Sequence, residues 1–174
     1  MTNRKKENAL ILSQEEIASG IFSLWLKTEA AGQARPGQFI SMYTNDGSRL
    51  LPRPISICEI DRGREALRVV YRVTGPDTGT ELFSRMKAGD VIPVIGPLGN
   101  GFPMERAEGK RVFLIGGGIG VPPILELAKQ LNCEKKQIVV GYRNKETFLR
   151  NEFEQNGELY ISTEDGSTGT RGNV

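Results

Sequence analysis

Histidine does not occur in this sequence. Its absence removes the commonest general base and the commonest zinc ligand, so any chemistry here belongs more naturally to a bound cofactor than to the chain's own side chains. Cysteine is nearly absent as well: Cys58 and Cys133 lie far apart and match no metal-ligand spacing. Two cysteines make no disulfide framework, which points to a cytoplasmic protein. No apolar run approaches the roughly 18 residues of a membrane span. The basic start is followed by a short apolar stretch at residues 9–12 and then by charge, so no signal peptide is expected either. Charge of one sign is also missing: 23 basic residues against 21 acidic ones give a net +2, which makes no field for nucleic acid. The cluster Arg4, Lys5, Lys6 reads as a solvated tail.

What remains is the composition of a folded, water-compatible chain, with 38% hydrophobic and 25% charged residues. Its 174 residues leave room for one ordinary domain, or one small domain and part of another. The 21 glycines suit tight turns or loops that approach a ligand closely.

Residues 8–105 read as β-rich. Short strands are expected at 9–12, 21–27, 38–43, 54–59, 67–73 and 91–95, with 13–20 a polar connection. Pro36-Gly37, Asn45-Asp46-Gly47-Ser48 and residues 61–64 supply turns. Six such strands suggest a small antiparallel barrel. One helix interrupts it, opened by Thr78-Gly79-Thr80-Glu81, a Thr-x-x-Glu capping pattern, and running to about Met86. Near residue 110 the pattern changes. A buried strand at 110–115, a glycine loop, a helix with Ile124, Leu127, Ala128 and Leu131 on one face, a strand at 137–142, a short helix at 147–154 and a strand at 158–163 follow one another. That alternation opens a parallel, doubly wound α/β sheet. Three parallel strands with two crossovers bury little and leave an edge exposed, so this second domain reads as cut short.

Several motifs carry candidate chemistry. In Arg53-Pro54-Ile55-Ser56, the arginine can grip a pyrophosphate through paired N–H donors, and the serine hydroxyl can bond a ring nitrogen. An edge strand with a surface arginine explains the same four residues equally well. Gly79 and Thr80 open a helix whose first N–H groups favour an anion, or simply make a sound helix start. Gly116-Gly117-Gly118-Ile119-Gly120 joins a buried strand to a helix, as a dinucleotide phosphate loop does, although Val121 stands where a last glycine would complete the usual pattern. Gly96-Pro97-Leu98-Gly99-Asn100-Gly101-Phe102 is either a ligand-facing loop or a linker. Tyr71 and Arg72 end a strand, where they contact a ligand or form a core tyrosine beside a surface arginine.

In this order the motifs resemble the ferredoxin-reductase-like flavoproteins, and within them the electron-transfer subunits of dihydroorotate dehydrogenase B, from about residue 8 to residue 172. The resemblance implies an FAD-binding β-barrel over 1–105 and the N-terminal part of an NAD-binding α/β domain over 106–174. It implies that Arg53 binds the FAD pyrophosphate, with Pro54 fixing the backbone beside it. Ser56 would bond near flavin N5, the atom that exchanges hydride. Val70, Tyr71 and Arg72 would line the flavin and its ribityl chain, and Gly79 and Thr80 would hold phosphate. Gly116, Gly117, Gly118, Ile119 and Gly120 would approach NAD(H), and Asp165 would lie near its second nucleotide. The implied partner is an FMN-containing catalytic subunit that oxidises dihydroorotate to orotate. Two departures stand out. Ile55 replaces the aromatic that many members of the wider group stack on the flavin, and the family's C-terminal cysteine cluster for a 2Fe-2S centre is missing. Such a cluster takes about four thiolates, so it is expected only in a full-length protein. Two other readings stay open: a subunit of a related ferredoxin:NADP+ oxidoreductase or hydrogenase-linked complex, and a non-catalytic flavin- or nucleotide-binding module.

Overall fold

A computed structural model describes residues 6–47 and 51–174. Arg4 and Lys5 of the basic cluster, and Ser48 of the expected turn, lie outside the described residues. The chain divides into two compact units, Met1–Gly101 and Phe102–Val174.

The first unit is a closed antiparallel barrel of six strands. They are β1 (Lys6–Ala18), β2 (Ile21–Lys27), β3 (Phe39–Met42), β4 (Arg53–Asp61), β5 (Ala66–Arg72) and β6 (Val91–Leu98), in the order β1-β2-β5-β4-β3-β6. Alternation fills its centre: Leu24 and Leu26, Ile40 and Met42, Leu67, Val69 and Tyr71 all turn inward. The expected polar connection over 13–20 is instead the second half of β1, paired with β2 as far as Ala18↔Ile21. Strand pairing uses backbone groups, and Glu15 and Glu16 simply face solvent there. A register shift between Ile11 and Ser13 resets the alternation, so that Gln14 rather than Ser13 turns inward after Ala9 and Ile11. A 3-10 turn, Glu29–Gly32, buries Ala30 and Ala31. The Glu7 carboxylate holds that turn, accepting from the Thr28 hydroxyl and from the N–H groups of Glu29 and Ala30.

The helix α1 (Gly79–Ser84) stands between β5 and β6. Thr78 caps it by accepting from the Glu81 N–H at 3.2 Å, while the Glu81 carboxylate reaches back to the Asp77 N–H at 2.7 Å, one residue further than a strict capping box. Phe83 anchors α1 in the barrel core.

The second unit is a parallel sheet of four strands, β7 (Arg111–Gly117), β8 (Lys135–Tyr142), β9 (Glu158–Thr163) and β10 (Thr170–Arg171), in the order β10-β9-β8-β7. The helices α2 (Pro122–Gln130) and α3 (Arg150–Glu154) make the crossovers. The expected strand–helix alternation of a parallel α/β sheet is therefore present, with one short strand more than the sequence pattern indicates. β7 is buried on one face only. Leu114 and Gly116 turn toward α2, while Phe113 and Ile115 are 61% and 60% exposed. An unbroken apolar run looks buried on both sides, but both helices lie on a single face here.

Candidate functional site

In the barrel unit β4 lies against β3 in the register Arg53↔Met42, Pro54↔Ser41, Ile55↔Ile40, Ser56↔Phe39. Alternation then sorts the motif. Ile55 packs against the barrel core, while Pro54 and Ser56 face outward. Arg53 is half-buried, donates from Nη1 to the Leu51 carbonyl at 2.6 Å, and runs across the start of α1. A Cβ placed on Gly79 would meet Arg53 Nε at 3.1 Å, Cζ at 3.2 Å and Nη2 at 3.3 Å. The glycine is thus what lets the guanidinium lie against the helix start. The N–H groups of Gly79 and Thr80 occupy the first helical positions, before the helix's own hydrogen-bond ladder begins. Glu81, the acidic residue of this turn, has its carboxylate held by the Asp77 N–H and by Arg85. A guanidinium beside two unladdered N–H groups is a donor set made for phosphate oxygens.

The Thr80 hydroxyl is not part of that set. It accepts from the Thr74 N–H at 3.1 Å and sits within 3.2 Å of the Thr74 and Thr78 hydroxyls, so only its backbone faces the site. Tyr71 departs from expectation more clearly. Its side chain is 1% exposed, stacked on Phe22 with centroids 5.8 Å apart and edge-on to Phe83 at 6.1 Å. Burial pushes the Tyr71 phenol well above its ordinary value, and its hydroxyl donates to Gln14 Oε1 at 2.9 Å. The enclosed ring shares the inward parity of Leu67 and Val69 and packs in the barrel core. Val70 and Arg72 have the opposite parity; Val70 is buried and Arg72 is exposed.

A cavity of about 650 Å3 also opens in this unit, lined by Glu7, Arg35, Gln38, Arg62 and residues of the 96–101 loop. It shares no residue with the Arg53 and Gly79 pair. The loop's glycines have internal reasons: a Cβ on Gly96 would lie 2.5 Å from Ile40 Cγ2, and one on Gly101 would lie 3.1 Å from Arg35 Cβ.

In the second unit the glycine loop follows β7, at the carboxyl edge of the parallel sheet where ligands of such sheets bind. Gly116 serves packing. A Cβ there would be 2.5 Å from Ile124 Cδ1 and 3.0 Å from the Gly120 carbonyl oxygen, so this glycine allows α2 to approach β7. Gly118 takes a left-handed φ of 54° and turns the chain, Ile119 is exposed, and Gly120 has open space around it. The start of α2 is poorer in donors than the motif suggests. Pro122 and Pro123 have no N–H, and the Val121 N–H is taken by the Gly118 carbonyl at 3.2 Å. An anion here meets the backbone of 118–120 rather than a helix end.

Asp165 lies in an exposed turn at the same edge, after β9. The Ser167 hydroxyl and N–H hold its carboxyl below the usual range, and Oδ1 accepts from the Ser167 N–H at 2.9 Å. Two further residues gave no signal in the sequence. Gln14 ties β1 to α1. Ser162, aligned with Gly141 and through it with Gly117, is 8% exposed, and its Oγ is the one buried side-chain polar atom among the described residues that has no hydrogen-bond partner. The Val174 side chain fills the space above Gly141 and Gly117. Among the described residues no cluster of His, Cys, Asp or Glu could hold a metal ion, and no helix is long and apolar enough to cross a membrane.

No protein-family model matches the chain. Among curated proteins it is 44% identical over 176 residues to the "Dihydroorotate dehydrogenase B (NAD(+)), electron transfer subunit" of Enterococcus faecalis, covering 98% of this chain and 66% of that protein. It is 43% identical over 178 residues to the protein of the same name from a Geobacillus species, covering 98% of this chain and 68% of that one. The chain thus spans about two thirds of the length of these curated relatives. Among solved structures, an NADH-dependent reduced ferredoxin-NADP oxidoreductase, described for flavin-based electron bifurcation, matches 99% of this chain and 61% of its own, with a TM-score of 0.82 and 28% identity.

Proposed function

The chain belongs to the family of dihydroorotate dehydrogenase B electron-transfer subunits, and from that membership we propose that it is the FAD- and NAD(H)-binding part of an oxidoreductase subunit that moves electrons between NAD(H) and a partner protein. The observation that carries the reading is the Arg53 guanidinium laid against Gly79 at the start of α1.

Arg53 and the N–H groups of Gly79 and Thr80 hold the FAD pyrophosphate, with Gly79 leaving the guanidinium its room. Pro54 and Ser56, outward on β4, and Arg72, exposed at the end of β5, face the rest of the cofactor, with Val70 buried behind them. The Ser56 hydroxyl would hydrogen-bond near flavin N5. Bound there, FAD supplies hydride exchange with NAD(H) and single-electron transfer to a partner. In the second unit Gly117, Gly118, Ile119 and Gly120 bring backbone to the nicotinamide dinucleotide, Gly116 seats α2 beneath them, and Asp165 borders the second nucleotide. The chain's own work is binding and orientation, and it needs no titrating base, as befits a sequence without histidine.

The partner is a catalytic subunit that carries FMN and oxidises dihydroorotate to orotate, and the setting is the cytoplasm. The name of the relatives supports a dihydroorotate dehydrogenase partner; the FMN follows from the resemblance of the motifs and the cytoplasmic setting from the scarcity of cysteine. Cys58 and Cys133 do not fit a 2Fe-2S centre, which takes about four thiolates, so no electron step is assigned to one in this chain. The likeness to a ferredoxin-NADP oxidoreductase favours, as a second reading, the same chemistry with a different electron acceptor. Arg53→Ala tests the site. The purified variant should retain much less flavin than the parent, and unchanged flavin content would count against the assignment.

A further inference from the structure

We infer that Gln14 is a positioning residue for the flavin site, acting through α1. This rests on the reading of Arg53 and α1 as that site.

The bulge in β1 is what turns Gln14 inward. Once there, its amide uses both ends. Nε2 donates to the Phe83 carbonyl at 3.0 Å and to the Met86 carbonyl at 2.6 Å, and Oε1 accepts from the Tyr71 hydroxyl at 2.9 Å. The Phe83 carbonyl lies in the last turn of α1, where it also accepts from the Met86 N–H at 3.0 Å, and Met86 follows the C-cap residue Arg85, so the amide clasps the chain as it leaves the helix. Tyr71 is itself fixed between Phe22 and Phe83. One side chain therefore ties α1 to β1 and to β5.

α1 needs such a tie. It has six residues, far too few for a helix to persist on its own propensity. Its far end carries Gly79, where Arg53 packs with no room to spare. A helix of this length spans about 9 Å and moves as a rigid piece, so a shift at the Phe83 end reappears at Gly79. Leucine at position 14 supplies neither end of the amide. Glutamate accepts from Tyr71 but sets its carboxylate against two carbonyl oxygens.

The test uses the 174-residue chain and titrates FAD into the parent, Gln14→Leu, Gln14→Glu and the double variant Gln14→Leu with Tyr71→Phe, alongside thermal melting without FAD. Both single variants should bind FAD about tenfold or more weakly, the cost of losing the two partly buried hydrogen bonds to Phe83 and Met86 that orient the site. The double variant strands no phenol hydroxyl. It should recover most of the melting temperature but not the FAD affinity. Parent-like affinity in Gln14→Leu, or affinity in the double variant that returns together with stability, would overturn the inference and leave Gln14 a structural residue only. A parent chain that binds no FAD would overturn the flavin reading, and this inference with it.

Discussion

Replacing Gly79 by alanine should move flavin affinity and fold stability in opposite directions. The added methyl would stand 3.1–3.3 Å from three atoms of the Arg53 side chain, closer than a settled contact by a few tenths of an ångström. Those atoms end a flexible side chain, so the guanidinium gives way and the helix does not. Gly79 is not among the glycines with positive φ, so alanine fits its backbone. Exchanging glycine for alanine favours a helix by up to about 1 kcal/mol, and by less in a first turn. The displaced guanidinium forfeits charge-assisted hydrogen bonding worth roughly 1.5–3 kcal/mol, which is about a ten- to hundredfold rise in the Kd for FAD. Flavin-fluorescence titration gives the Kd, and a thermal melt of the flavin-free chain gives the stability. An unchanged Kd in a chain that melts at or above the parent temperature would refute the view that Gly79 exists to seat Arg53 for phosphate.

Two further outcomes follow from the packing. The folded Tyr71 phenol titrates above its unfolded value of about 10, so its contribution to stability is full below that pH and is lost as pH climbs toward the folded value; Tyr71→Phe should flatten part of the alkaline fall in melting temperature, and an identical pH profile would contradict this. In the second unit Gly116→Ala forces a methyl to 2.5 Å from Ile124 Cδ1 and should cost on the order of 1–3 kcal/mol through overpacking; wild-type amide-exchange protection across β7 and α2 would rule that out.

Much of this fold was legible from alternation and turn residues, and the failures have physical causes. The strands β2 to β6 announce themselves because their inward residues are apolar. The second half of β1 does not, since its pairing rests on backbone while Glu15 and Glu16 face water. The two residues of β10 are too few to carry any period. Arg53 and Gly79 were each visible as motifs, but their contact is tertiary, and only coordinates show that the glycine serves the arginine. The reading of Tyr71 as a core tyrosine was legible, because Leu67, Val69 and Tyr71 share one parity. Gln14 could not, because a one-residue bulge reverses the parity that the sequence suggests. The proline pair after the glycine loop was in plain view, and its effect on the helix donors follows from proline's missing N–H alone.

The most direct test of a flavin-binding barrel is the visible absorption spectrum of the purified chain, reconstituted with FAD and recorded before and after anaerobic NADH. Flavin bands that stay with the protein through gel filtration, and bleach when NADH is added, are the expected result. A protein that remains colourless after reconstitution would contradict the account.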